Sequence, residues 1–72
     1  MKKAIICVLT WNRFYYTKKT LEAIVQNTNR EDYELLLFDN GSTEPGMLEW
    51  MKNICLENKF DYIFCKINVG LT

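Results

Sequence analysis

The sequence predicts an α/β fold in which three parallel strands alternate with two helices. Three apolar runs carry the prediction, Ala4-Ile5-Ile6-Cys7-Val8-Leu9, Tyr33-Glu34-Leu35-Leu36-Leu37-Phe38 and Tyr62-Ile63-Phe64-Cys65. Each is too short for a helix and reads as a strand, the first buried on both faces and the second also buried. The two segments between them show helical spacing, and strict alternation of this kind means parallel strands joined by right-handed crossovers.

In chain order, the first run ends in the polar loop Thr10-Trp11-Asn12-Arg13. From about Phe14 to Gln26, Leu21, Ile24 and Val25 follow helical spacing, with Thr17 one turn earlier. Asn27-Thr28-Asn29 closes that helix with residues that favour caps and turns. After the second run, Pro45 suits a first helical turn, with Thr43 or Glu44 as its cap. Met47, Met51, Ile54 and Cys55 then recur on one face, which predicts a helix to about Asn58. Tyr15 and Tyr16 read as packing residues, and Trp50 as core or interface.

Composition narrows the function. Seventy-two residues make at most one small domain, and 49% hydrophobic content is that of a globular protein. A chain this short buries only about 60% of its unfolded surface, so the domain is marginal alone. Nine basic residues balance nine acidic ones, which leaves no field to attract nucleic acid or an anionic membrane. Three cysteines lack zinc-like or redox spacing and histidine is absent. No apolar stretch is long enough to span a bilayer. The start, Met1-Lys2-Lys3 and six apolar residues, is too short for a signal peptide and runs into Thr10-Trp11-Asn12-Arg13. The expected location is therefore cytoplasmic.

Two sheet layouts are open to the residues alone. In the order 3-2-1 both helices cover one face and the other stays bare. In the order 2-1-3 the helices take opposite faces. Either way, each strand passes from apolar into polar at its C-terminal end. The exits are Thr10-Trp11-Asn12-Arg13, Asp39-Asn40-Gly41-Ser42 and Asn68-Val69-Gly70. Such ends lie side by side in an open parallel sheet, where ligands bind. Neither G-x-G-x-x-G nor G-x-x-x-x-G-K-[ST] is present, so a glycine-rich phosphate loop is excluded.

Val8-Leu9-Thr10-Trp11-Asn12-Arg13, Lys18-Lys19-Thr20-Leu21-Glu22, the stretch Tyr33 to Thr43 and Asn68-Val69-Gly70 together resemble the start of a family 2 glycosyltransferase. The resemblance covers nearly the whole chain and includes the spacing between motifs. It implies a Rossmann-like, nucleotide-binding half of a GT-A domain with strand order 3-2-1, residues 1–72 forming one partial domain. It also implies a nucleotide-diphospho-sugar partner, held by Thr10, Trp11, Asn12, Arg13, Asp39, Asn40, Gly41, Ser42, Asn68 and Gly70. The residue types suit that role. An ionised Asp39 accepts from the imide N–H of uracil, and the Arg13 guanidinium matches anionic oxygens. Read without the resemblance, Asp39 to Thr43 is equally a turn and helix cap, and Arg13 a surface charge.

The resemblance further implies an inverting enzyme with Mg or Mn, an acidic metal motif and a carboxylate base, all in a full-length parent beyond Thr72. Glu44 stands where aspartate is more usual. The close acidic pair Glu31-Asp32 precedes the second strand, at the opposite edge. The expectation is thus no catalytic residue, metal site or cofactor within this chain. The competing reading is a non-catalytic module that self-associates or binds a partner through a bare apolar sheet face.

Overall fold

The structure, a computed structural model, describes residues 4–65. Strand β1 (Ala4–Thr10) leads to helix α1 (Phe14–Asn27), and a short 3-10 turn (Arg30–Asp32) precedes strand β2 (Tyr33–Asp39). Helix α2 (Met47–Asn58) and strand β3 (Asp61–Phe64) complete the chain order. The three strands are parallel and the sheet order is β1-β2-β3, so β2 is central and the 2-1-3 layout is excluded.

Both helices pack on one face of the sheet. Leu35 and Leu37 of β2 join Leu21 of α1 and Met47, Met51, Ile54 and Cys55 of α2 in one buried core. Ile6 and Val8 of β1 pack against it. Because side chains alternate along a strand, the intervening residues point the other way. Cross-strand register puts Ile5, Cys7, Leu9, Leu36, Phe38 and Ile63 together on that second face. It is bare: Ile5 is 82% exposed, Leu9 72% and Ile63 50%.

Element boundaries depart from expectation where polar side chains intervene. Helix α2 begins at Met47 rather than in the turn at Pro45, with Gly46 as its N-cap, not Thr43 or Glu44. The backbone N–H groups of Thr43 and Glu44 are already held by the Asn12 side chain, and Met47 donates to the Glu44 carbonyl at 3.2 Å, closing a turn first. Gly46 adopts φ 80, a region open to glycine at little cost. Tyr15 and Tyr16 do not pack in the core. Each is 65% exposed, because Thr17 and Leu21 fix the buried face of α1 and both tyrosines fall outside it. Phe14 instead reaches inward, 5.9 Å from the Trp50 ring between centroids. The strands β1 and β2 extend one residue further than the apolar runs, taking in Thr10 and Asp39.

The far end of the molecule is tied by a residue that sequence patterning does not single out. Arg30 donates from Nε to the Asn58 carbonyl at 2.6 Å and from a terminal nitrogen to the Lys59 carbonyl at 2.8 Å. It also bonds the Tyr33 carbonyl and lies over the Tyr33 and Phe60 rings, 5.2 and 5.3 Å from their centroids. A fixed cation on the last carbonyls of α2 offsets the negative end of the helix dipole. Lys59 takes a left-handed φ of 57 there, and Phe60 donates back to the Cys55 carbonyl at 2.9 Å.

Candidate functional site

The C-terminal ends of the strands meet in a polar rim organised around Asp39. Parallel register sets Thr10 directly beside Asp39. The Thr10 hydroxyl donates to Asp39 Oδ1 at 2.8 Å across 29 residues of sequence. Ser42 gives a second hydroxyl to the same oxygen, while the backbone N–H groups of Gly41 and Ser42 donate to Oδ2 at 3.2 and 2.8 Å. Gly41 turns the chain at φ 90, which brings those two amides back over the carboxylate. Asp39 is fully buried, and Thr10, Asn40 and Ser42 are nearly so. Its two oxygens carry four donors, which compensates the cost of burying the group. No side-chain polar atom buried among the described residues lacks a partner.

A second set of bonds fastens the loop after β1 to the loop after β2. The Asn12 backbone N–H donates to Ser42 Oγ at 2.6 Å. Asn12 Oδ1 accepts from the N–H groups of Thr43 at 2.7 Å and Glu44 at 3.2 Å. In return, Glu44 Oε2 accepts the Phe14 N–H at 3.2 Å. The main chain contributes as well, since Asn40 N–H donates to the Thr10 carbonyl at 2.9 Å and Cys65 N–H to the Asp39 carbonyl at 2.9 Å. All three strand ends are thereby drawn to one edge.

Above this framework, Trp11 and Arg13 are exposed. An open depression of about 250 Å³ lies between the end of β1 and the first turns of α1, lined by Thr10, Trp11, Asn12, Arg13, Tyr16 and Thr20 among others. Asp39, Asn40, Gly41 and Ser42 do not line it; they reach it through Thr10 and Asn12. Of the sequence-predicted site residues, the structure therefore brings Thr10, Trp11, Asn12, Arg13, Asp39, Asn40, Gly41 and Ser42 to one rim. Asn68 and Gly70 lie outside the described residues.

The rim has two tiers. Asp39, Thr10 and Ser42 form a closed network beneath, and Trp11 and Arg13 present an aromatic face and a cation above. Glu44, expected from the sequence as one of two candidate caps of α2 and as a departure from a motif, instead caps the start of α1 by accepting the Phe14 N–H. Glu31 and Asp32 sit in the 3-10 turn at the opposite end of β2 and are exposed, as their sequence position predicts. No group of three or more histidine, cysteine, aspartate or glutamate side chains among the described residues could hold a metal ion. None of the described helices is long and apolar enough to cross a membrane. Away from the rim, burial pushes the Cys55 thiol up to about 11.

The description glycosyl transferase family 2 fits a family model that matches residues 5–72. A search of curated proteins finds no match. With almost its whole length covered, this chain belongs to the glycosyl transferase family 2.

Proposed function

We propose that this chain is the sugar-nucleotide-binding portion of a glycosyltransferase. Its parent would transfer a sugar from a nucleotide-diphosphate donor, taken here as uridine-linked, to an acceptor hydroxyl. The observation that carries the reading is the convergence of Thr10, Trp11, Arg13 and the Asp39 to Ser42 turn on one sheet edge, in a chain of this family. Strand C-termini of open parallel sheets are where such ligands dock.

Within the proposal the rim residues divide their work. Asp39 is fully buried with both oxygens occupied, so in place of the direct uracil contact its residue type suggested, it acts from below, holding Thr10, Gly41 and Ser42 in place for the nucleotide. Trp11 offers a stacking face for the base, and Arg13 offers a fork for diphosphate oxygens. Asn40, Gly41, Asn12, Asn68 and Gly70 complete the set of nucleotide-binding residues. Mg or Mn is assigned to a full-length parent, where it would neutralise the departing diphosphate. Alone, the chain is proposed to be inert in transfer, since its close acidic pair lies at the wrong end of β2. A cytoplasmic setting suits its three free cysteines.

Uridine diphosphate titrated into labelled protein, followed by nitrogen–proton NMR, tests the binding claim. Saturable shifts at the rim support it, and sugar transfer by the purified chain would overturn the claim of inertness. A second reading is favoured by one feature, the bare face of Ile5, Cys7, Leu9 and Ile63. Under that reading the module self-associates through this face, and light scattering would show an oligomer indifferent to nucleotide.

A further inference from the structure

We infer that Asn12 and Glu44 form a reciprocal clasp that positions Trp11 and Arg13 for the nucleotide. The inference rests on the reading of the rim just proposed and names two positioning residues within it.

Helix α1 starts without help from its own sequence. Its N-cap is Arg13, which makes no side-chain capping bond. The cap is supplied from the other loop instead, by Glu44 Oε2 on the Phe14 N–H. Asn12 repays that contact by accepting the Thr43 and Glu44 N–H groups on Oδ1. Each loop thus satisfies donors of the other, a capping box split between two chain segments.

The clasp also explains an unusual backbone. Asn12 and Arg13 are consecutive left-handed residues, at φ 55 and 56, and neither is glycine. Such a pair is disfavoured for L-residues and persists where its surroundings over-determine it. Here the surroundings are the Asn12 contacts on both sides: N–H to Ser42 Oγ, Oδ1 to two amides, and its carbonyl to the Thr17 hydroxyl at 3.5 Å. Trp11 and Arg13 flank this pinned residue. Their own side chains are exposed, so the backbone at Asn12 sets where they stand.

The decisive variants are Asn12→Gly and Asn12→Asp. Glycine adopts the left-handed backbone freely and keeps the N–H to Ser42, so Asn12→Gly removes only the side-chain acceptor. Asn12→Asp retains both the acceptor and tolerance of that backbone. In Asn12→Gly, amide exchange at Thr43 and Glu44 should accelerate roughly tenfold, with Leu35 and Leu37 amides unchanged, and the Trp11 indole resonance should move. Uridine diphosphate should bind roughly tenfold more weakly. Asn12→Asp should return exchange to within about threefold of the original and the indole resonance to its place, while its added charge opposes an anionic diphosphate and is read separately from position.

Unchanged exchange at Thr43 and Glu44 in Asn12→Gly would overturn the clasp. Lost protection with undiminished affinity in Asn12→Gly would overturn the positioning role, as would an Asn12→Asp variant that recovers exchange while its Trp11 indole stays displaced. If the unsubstituted chain binds no uridine diphosphate, the nucleotide reading fails instead, and exchange with the Trp11 indole still decides the clasp.

Discussion

Replacing Asp39 by alanine should cost far more stability than its position at a strand end suggests. The substitution removes the acceptor of four donors in a fully buried setting. The Thr10 and Ser42 hydroxyls can rotate toward other acceptors; Thr10 already has the Phe38 carbonyl at 3.5 Å. The Gly41 and Ser42 amides cannot. Each buried orphan costs about 1–3 kcal/mol, and relief from burying a charge returns part of that. A net loss of about 3 kcal/mol follows. Total stability for a chain of this size is of order 4–11 kcal/mol, so the variant would forfeit a large share of it. Urea unfolding followed by circular dichroism reads the change as a lower midpoint at constant slope. The expected fall in melting temperature is roughly 12–24 °C. Asp39→Asn keeps one acceptor oxygen and should fall between the two. A loss below about 1 kcal/mol in Asp39→Ala would refute the reasoning, because it would mean the carboxylate does not hold those donors in solution.

Two further outcomes test the rest of the fold. Arg30→Ala should destabilise by about 1–2 kcal/mol in the same assay, through loss of the carbonyl contacts at the end of α2 and of ring packing on Tyr33 and Phe60. Arg30→Lys should recover less than half, since an ammonium cannot reproduce the fork; full recovery would show that charge alone matters. Cys55 supplies a pH dependence. Its folded-state thiol is raised from 9.0 to about 11, so above pH 9 the unfolded chain loses a proton that the folded chain keeps. Its contribution is complete below pH 9 and declines as pH rises toward 11. Thermal melts across that window should fall more steeply for the unsubstituted chain than for Cys55→Ala, and parallel curves would contradict the assignment.

Much of this architecture is legible from residue spacing. Ala4 to Leu9 is too short and too β-branched for anything but a strand, and Met47, Met51, Ile54 and Cys55 mark one helix face and are all buried. Burial of Thr10 and Asp39 together is harder to read, because only register makes them neighbours. The start of α2 was misplaced for the same kind of reason. Pro45 is locally suited to a first turn, but the chain there is tied by Asn12, 31 residues from Thr43, which accepts the Thr43 and Glu44 amides, and is closed by a turn from the Met47 N–H to the Glu44 carbonyl. Tyr15 and Tyr16 illustrate a different loss. Adjacent aromatics on a helix cannot both share the face set by Phe14, Thr17 and Leu21, and helical spacing alone excludes them from the core. Arg30 is hard to read from sequence, as its bonds to Asn58, Lys59 and Tyr33 go to backbone carbonyls that any residue supplies.

Among all measurements, chemical-shift mapping with uridine diphosphate addresses the proposed role most directly. Progressive, saturating shifts should centre on Trp11, Arg13 and the turn from Asn40 to Thr43. Glu31, Glu34 and Lys59, which line a depression at the opposite end, should stay in place. Shifts confined to that opposite end, or none at millimolar nucleotide, would contradict the assignment of the rim as the nucleotide site.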